Sequence, residues 1–151
     1  MKIIFIAGIH GVGKTTFCKK YELKNVYTAS ELIKNYKIID GKLTKNIFEN
    51  QDILIEAISQ IKEEKIYLDG HLCLLDFSGK IKELPLELYK KLNILEIILL
   101  ISTPFKIQER LNKRDKTIYN VELLKKFQEK EIERAKYIAQ ELNIKLTILE
   151  N

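Results

Sequence analysis

The stretch "GIHGVGKTT", residues 8 to 16, decides the fold prediction. It follows Lys2–Ala7, a largely apolar run that predicts a buried strand. It overlaps the start of Lys14–Leu23, which predicts a helix. Glycines permit backbone angles that other residues avoid, so successive N–H groups can turn toward one point. A strand, a glycine-rich turn and a helix start therefore predict a cradle for an anion.

The same stretch matches the phosphate-binding pattern G-x-x-x-x-G-K-[ST]. Lys14 is expected to reach the outer phosphates of a nucleoside triphosphate, and the Thr15 hydroxyl to bind Mg²⁺. His10 is the unusual member, and it is expected either to touch the ligand or to fill a permissive position. The residues predicted to bind the nucleotide are Gly8, His10, Gly11, Val12, Gly13, Lys14, Thr15 and Thr16.

Strands and helices alternate along the rest of the chain. Further strands are predicted at Asn25–Thr28, Lys65–Asp69, Ile94–Ile101 and Ile144–Leu149, with a short extended piece at Leu72–Asp76. Helices are predicted at Ser30–Tyr36, Asn46–Glu64, Pro85–Leu92, Pro104–Lys113 and Tyr119–Leu142, and turns at Asp40-Gly41 and Ser78-Gly79. This alternation predicts an α/β fold with a five-stranded, mostly parallel sheet and helices on both faces. Ligands of such sheets bind beyond the carboxyl ends of the strands.

Length and composition favour one globular domain spanning residues 1–151, with 46% hydrophobic and 31% charged residues. No run of 18 apolar residues is present, so no membrane span is expected, and the start does not resemble a signal peptide. Cys18 and Cys73 are expected to be reduced thiols in a cytoplasmic protein. The formal charge of +5 suits phosphorylated small molecules. The scattered aromatic residues argue against nucleic acid as a partner, and no oligomeric state is predicted.

Two further patterns raise the alternative of a GTPase. Asp76–Gly79 matches D-x-x-G, and Asn112–Asp115 matches N-K-x-D. The segment between them holds only one predicted helix and one predicted strand, which is too little for a GTPase core. Asn112 also ends a helical pattern, whereas the GTPase motif follows a strand. The GTPase interpretation is therefore disfavoured, and ATP is expected to be preferred over GTP.

The second half of the site is predicted from charged residues beyond the loop. Asp69 ends a buried strand, where it would either hold the magnesium shell or act as a turn residue. His71 would bind substrate or simply end the strand. The segment "RLNKRDK", Arg110–Lys116, is predicted to lie between two helices, either as a lid that closes over phosphates or as a solvated helix end. Arg134 would either point back at the site or lie on the exposed face of its helix, and the exposed face is favoured.

Together the loop, Asp69-x-His71 and Arg114-Asp115 before a long helix resemble the small nucleoside monophosphate kinases, above all the archaeal-type adenylate kinases. The resemblance implies a three-layer P-loop NTPase fold, ATP as phosphate donor, Mg²⁺ as cofactor and a small-molecule phosphate acceptor. It implies Thr15 and Asp69 as metal ligands, and Lys14, Asp69, Arg110 and Arg114 as catalytic residues.

The sequence departs from that family in the middle. Thr28–Asp52 corresponds to the acceptor-binding segment, yet it contains no arginine to grip an acceptor phosphate. The acceptor is therefore a nucleotide held by lysine, a nucleoside, or another small molecule. The polar run "ENQD", Glu49–Asp52, would face this acceptor or form an exposed helix face. Two functions stay open: a small ATP-dependent kinase, or a nucleotide-binding regulatory or partner-binding P-loop ATPase that transfers no phosphate to a small molecule.

Overall fold

The computed structural model describes residues 1–40, 47–76, 78–115 and 119–151, and it describes their side chains except at 37–40 and 47–49. The strands are β1 (Lys2–Ala7), β2 (Val26–Thr28), β3 (Lys65–Asp69), β4 (Cys73–Leu75), β5 (Ile81–Glu83), β6 (Ile94–Ile101) and β7 (Lys145–Glu150). The helices are α1 (Lys14–Lys20), α2 (Ala29–Asp40), α3 (Ile47–Ser59), α4 (Leu86–Leu92), α5 (Pro104–Asp115) and α6 (Val121–Leu142).

The main sheet has five strands in the order β2-β3-β1-β6-β7, and every neighbouring pair is parallel. β1 lies at the centre and is buried except at Lys2. A central parallel strand is covered on both faces, which is why its sequence is continuously apolar. The predicted α/β fold is confirmed, and the parallel arrangement is complete within this sheet.

Helices cover both faces of the sheet because successive strand residues point to opposite sides. On one face, Phe5 of β1 belongs to the cluster that contains Leu54 of α3 and Leu88 of α4. On the other face, the neighbouring residue Ile6 packs in a cluster with Phe17 of α1. The loop between β1 and α1 therefore leaves the sheet at its carboxyl edge, between the two helical layers.

A second, two-stranded sheet was not predicted as such. β4, expected as an extended piece, pairs antiparallel with β5, which the sequence analysis missed. β5 has only three residues, Ile-Lys-Glu, and so carries too little alternation to indicate a strand. Asp76 orders the turn between these strands, since its Oδ1 accepts hydrogen bonds from the backbone N–H groups of Ser78 (2.9 Å) and Lys80 (2.9 Å). The D-x-x-G match thus has a local structural role.

Helix ends differ from the predictions by a few residues. α1 ends at Lys20 rather than Leu23, because the backbone turns left-handed at Glu22 (φ 50°). α2 continues to Asp40, which is helical rather than part of a turn, while Gly41 lies outside the described residues. α3 ends at Ser59, five residues before the predicted end; its predicted first residue, Asn46, is also outside the described part.

The last two helices also shift their bounds. α5 extends past Lys113 to Asp115. α6 begins at Val121 because Asn120 caps it, accepting hydrogen bonds at Oδ1 from the N–H groups of Glu122 and Leu123. Within the described ranges, no helix combines the length and apolarity that crossing a membrane requires. Cys18 and Cys73 are both buried and unbridged.

Candidate active site

The glycine-rich loop is pressed against two other parts of the chain. Gly11 and Gly13 have positive φ angles of 84° and 97°, which other residues adopt only with strain. A Cβ at Gly11 would lie 2.7 Å from Leu111 of α5, and one at Gly13 would collide with the amide of Asn151. The loop therefore needs glycine at these positions for both its conformation and its packing.

Lys14 begins α1 and points back beneath the loop. Its Nζ donates hydrogen bonds to the carbonyl oxygens of Gly8 (2.6 Å) and Gly70 (3.3 Å), and it lies 3.6 Å from Oδ1 of Asp69. The side chain is 9% exposed. Burial lowers the pKa of Lys14, and the nearby Asp69 carboxylate opposes that shift. The ammonium group is thus fixed at the point where the ends of β1 and β3 meet.

Asp69 is the last residue of β3, the strand that pairs with β1. It is buried, and this burial raises the pKa of its carboxyl group, while the Lys14 ammonium acts in the opposite direction. Its position follows from the parallel register, because β1 and β3 both deliver their carboxyl ends to the same edge.

Two histidine rings contact each other at a tilt of 50° beside Lys14. The ring centroids of His10 and His71 are 4.3 Å apart. His71 Nδ1 lies 3.2 Å from Lys14 Nζ and 3.1 Å from the Gly8 oxygen. Burial, followed by the charge of Lys14, lowers the pKa of His71 well below its ordinary value, so its ring is neutral near pH 7. His71 and His10 both line the cavity above the loop.

Arg110 and Arg114 reach this cavity from the last turns of α5. Arg110 Nη1 donates to the carbonyl oxygens of Gly11 (3.2 Å) and Val12 (2.9 Å), so it braces the loop. Arg114 pairs with the adjacent Asp115 at 2.9 Å. The prediction that this basic segment lies between helices is wrong for residues 110–115, which are helical; Lys116 lies outside the described residues.

Two residues of the N-K-x-D match, Asn112 and Asp115, make hydrogen bonds to Tyr119, which lies just before α6. Asn112 Oδ1 accepts a hydrogen bond from the Tyr119 N–H (3.2 Å), and the Tyr119 hydroxyl donates to Asp115 (2.6 Å). These contacts explain the motif by local structure, and they agree with the expectation that it is not a guanine-binding motif.

The cavity above the loop has a volume of about 440 Å³, within the usual range for small-molecule sites. We call it the phosphate cavity. Of the predicted residues, it is lined by His10, Gly11, Gly13, Lys14, Thr15, Thr16, Asp69, Arg110 and Arg114. Gly8 and Val12 are not among its lining residues: Gly8 supplies a carbonyl oxygen to Lys14, and Val12 is buried in the core. Thr28 and Ser30 complete the wall on the side of α2.

Two residues that support the site were not predicted from the sequence. Asn151 donates from its side-chain amide to the Val12 oxygen (2.7 Å), which ties the end of β7 to the loop. Glu131 is buried in α6 and accepts hydrogen bonds at Oε1 from the N–H groups of Leu72 (2.8 Å) and Cys73 (2.9 Å). Burial raises the pKa of Glu131 to about 7. Glu131 is four residues from both Phe127 and Ala135, which places it on the apolar face of α6. This spacing could have predicted from the sequence that Glu131 is buried.

The expectation that Arg134 lies on the exposed helix face is wrong. Its side chain is 11% exposed, with Nη1 3.5 Å from Glu83 and Nη2 donating to the Leu84 oxygen at 2.7 Å. Arg134 therefore anchors the end of β5 to α6 and takes no part in the phosphate cavity.

Comparison with known proteins identifies the class to which this fold and site belong. The chain belongs to the AAA domain family, whose model matches residues 7–125. A search of curated proteins gave no match.

Solved structures with a similar fold span nearly the whole chain. A gluconokinase from Sinorhizobium meliloti 1021 is 14% identical, with a TM-score of 0.50, and the match covers 99% of this chain and 82% of that one. The tunicamycin resistance protein of Deinococcus radiodurans is 16% identical (TM-score 0.57, covering 97% and 98%). TT1252 from Thermus thermophilus is 15% identical (TM-score 0.54, covering 99% and 87%).

These likenesses establish the P-loop NTPase-like fold. None of the three names an adenylate kinase, so that closer resemblance stays a prediction.

Proposed function

We propose that this protein is an ATP-dependent phosphotransferase that moves the γ-phosphoryl group of ATP to a small-molecule acceptor. One observation carries the proposal: a single cavity of about 440 Å³ gathers Lys14, Asp69 and Arg114 from three separate elements. The gluconokinase among the similar structures, which is a kinase by name, supports a phosphate-transferring role.

The loop and Lys14 would supply most of the affinity for ATP. The start of α1 presents the positive end of a helix dipole to the phosphates. The buried ammonium of Lys14 interacts more strongly with a phosphate than an exposed one would, because water screens it less. Arg110 would keep the loop in shape through its bonds to Gly11 and Val12.

The cavity also fits a magnesium ion. Mg²⁺ prefers oxygen ligands and commonly takes one or two from the protein and the rest from phosphates and water. Thr15 and Asp69 both line the cavity and carry such oxygens. Among the described residues there is no group of three or more His, Cys, Asp and Glu that would form an all-protein site. When bound, the ion would neutralise charge on the β- and γ-phosphates.

The transfer itself would need positioning and charge stabilisation more than covalent help from the protein. The acceptor oxygen forms a bond to the γ-phosphorus, the bond from that phosphorus to the β–γ bridging oxygen breaks, and ADP leaves. Where the acceptor is a hydroxyl group, its proton passes to Asp69, the only carboxylate among the described lining residues. Arg114 would stabilise the charge that develops on the group in transfer.

The test is a panel of nucleosides, nucleotides, sugars and other alcohols incubated with ATP and Mg²⁺, with products separated by chromatography. We expect one acceptor class to gain a phosphate, and Asp69→Asn to abolish the transfer. Asp52→Asn, an exposed change on α3, is the control and should retain activity. ATP binding without transfer to any acceptor would contradict the proposal and favour the regulatory or partner-binding ATPase.

A further inference from the structure

A short connection between β3 and β4 brings His71 into the phosphate cavity. Gly70 still continues the sheet, since its N–H donates a hydrogen bond to the Ile6 oxygen of β1 (3.1 Å). β4 begins at Cys73, so His71 and Leu72 lie between the two strands. The position of the His71 side chain is therefore set by the contacts of this connection rather than by strand pairing.

Two side chains hold the peptide group that joins His71 to Leu72. Its carbonyl oxygen accepts a hydrogen bond from the Tyr89 hydroxyl of α4 (2.9 Å). Its N–H donates to Oε1 of Glu131 in α6 (2.8 Å), which also accepts from the Cys73 N–H (2.9 Å). The C=O and N–H of a trans peptide point in opposite directions, so Tyr89 and Glu131 hold this group from opposite sides. We call this arrangement the peptide clamp.

The peptide clamp is closed to water. Leu72 and Tyr89 are 0% exposed, and Glu131 is 1% exposed. A buried backbone group that loses its partner gains no water in exchange, so each contact favours one orientation of this peptide group. Because the group is planar and ends at the Cα atom of His71, fixing it restricts the position from which the imidazole ring projects.

The ring of His71 lies beside the ammonium group of Lys14. Its Nδ1 is 3.2 Å from Lys14 Nζ and 3.1 Å from the Gly8 oxygen, which is the same oxygen to which Lys14 donates. A shift of the ring would open space next to the ammonium and change where a phosphate can lie. Tyr89 and Glu131 are not among the described residues that line the cavity, so their effect on a ligand there would be indirect, through His71.

We propose that Tyr89 and Glu131 are positioning residues of the phosphate-transfer reaction, and that they keep the His71 ring against Lys14 and the Gly8 oxygen by holding the peptide group after His71. This inference rests on the proposed function and deepens it. Glu131 acts here as a hydrogen-bond acceptor. Glu131→Gln keeps an acceptor oxygen, whereas Glu131→Leu removes it, and Tyr89→Phe removes the hydroxyl donor with little change in shape.

A spectroscopic experiment tests the peptide clamp without any need for catalysis. The chain has two histidines, so the imidazole signals of His71 can be assigned and followed by NMR. We expect Tyr89→Phe and Glu131→Leu to shift these signals, and Glu131→Gln to leave them near their wild-type positions. Tyr137→Phe and Glu129→Leu, exposed changes on α6, are the matched controls and should leave them in place. Unshifted His71 signals in a folded Tyr89→Phe protein would overturn the inference, even if Glu131→Leu fails to fold.

A kinetic experiment separates positioning from a purely structural role. Steady-state rates are measured with ATP, Mg²⁺ and an acceptor found in the panel, with urea unfolding alongside. Tyr89→Phe should lower kcat roughly 2- to 12-fold, the equivalent of one neutral hydrogen bond, and leave the KM for ATP unchanged. Glu131→Leu should lower kcat roughly 10- to 100-fold, since a displacement of about 1 Å can cost that much. Glu131→Gln should keep most of the wild-type kcat.

Three results would count against one proposal or the other. Lower stability with unchanged kcat would show that the peptide clamp is structural only, and it would overturn the inference. An equal loss of kcat in Glu131→Gln and Glu131→Leu would also overturn it, because the acceptor oxygen would then not be what matters. Transfer to no acceptor, with His71 signals that still shift in Tyr89→Phe, would count against the proposed function alone.

Discussion

Lys14 and Asp69 form a buried ion pair at the carboxyl edge of the sheet, with Nζ and Oδ1 3.6 Å apart and both side chains 9% exposed. Each would be costly to bury without the other, because an unpaired charge loses its hydration. The pair therefore ties the end of β3 to the phosphate-binding loop before any ligand arrives. A variant of either residue must be checked for folding before its activity is interpreted.

Lys14→Ala should bind ATP roughly 10- to 100-fold more weakly, because hydrogen bonds to charged groups contribute about 1.5–3 kcal/mol. Calorimetric titration with ATP and Mg²⁺ measures this change, and circular dichroism checks the fold. Lys19→Ala, an exposed lysine on the same helix, is the control and should bind normally. Unchanged affinity in a folded Lys14→Ala protein would show that the nucleotide binds elsewhere.

Arg114→Ala should lower turnover by about 100-fold, the typical loss when one donor that stabilises transition-state charge is removed. ATP affinity should change far less, since the loop and Lys14 provide most of it. Arg114→Lys should recover little activity because an ammonium lacks the planar fork of guanidinium. Steady-state kinetics with an identified acceptor measures this change. Lys113→Ala, at an exposed residue on the same helical turn, is the control and should keep wild-type turnover. Wild-type turnover in Arg114→Ala would exclude a role in transfer.

Asp115→Asn should leave the preference between ATP and GTP unchanged. Asp115 contacts Arg114 and the Tyr119 hydroxyl, so its carboxylate serves the connection between α5 and α6. Competition binding with ATP, GTP and xanthosine triphosphate gives the result. A gain in affinity for the xanthine nucleotide would revive the GTPase interpretation, since that change is expected only where the carboxylate binds the base.

Glu131 predicts a specific pH dependence of stability. Burial raises the pKa of Glu131 from 4.5 to about 7 in the folded protein, so the folded state holds its proton more tightly than the unfolded state does. The contribution of this group to stability is therefore complete below pH 4.5 and is lost as the pH rises toward 7 and beyond. The size of the loss is roughly 3 kcal/mol.

Glu131→Gln should remove this dependence, because the amide oxygen still accepts from Leu72 and Cys73 but does not ionise. Urea unfolding of both proteins at pH 4.5, 6 and 8 gives the comparison. The variant should gain stability relative to the wild type as the pH rises. Glu129→Gln, exposed on the same helix, should follow the wild type. Parallel curves for the wild type and Glu131→Gln would contradict the shifted pKa.

The main sheet was predictable because continuous apolar runs indicate its strands. The phosphate-binding loop was predictable because it matches a specific sequence pattern. Lys2–Ala7 and Lys65–Asp69 match β1 and β3 residue for residue. The placement of Asp69 beside Lys14 was also foreseeable, since parallel strands deliver their carboxyl ends to one edge. These features depend on local composition and on a general rule of α/β topology.

Other features depend on partners far away in the sequence. The Arg134 side chain is largely covered and contacts Glu83 and the Leu84 carbonyl, and nothing near Arg134 in the sequence reveals this. β5 forms because β4 offers it an edge, although its own three residues carry no strand signal. The contact of Asn151 with Val12 likewise joins opposite ends of the sequence. Tertiary context decides such cases, and local propensity does not.

The central place of β1 has a consequence for how the chain folds. Ile3 pairs on one side with Ile66 and on the other with Ile94, so during synthesis β1 waits for neighbours that come much later in the sequence. Until then it is an apolar segment with two open edges, which invites association with other chains. Such distant pairings also slow folding, since the entropy of closing long loops is lost before the strand contacts that offset it can form. Recombinant protein should therefore refold slowly, with yields that fall as its concentration rises, and chaperones that shield β1 should improve recovery.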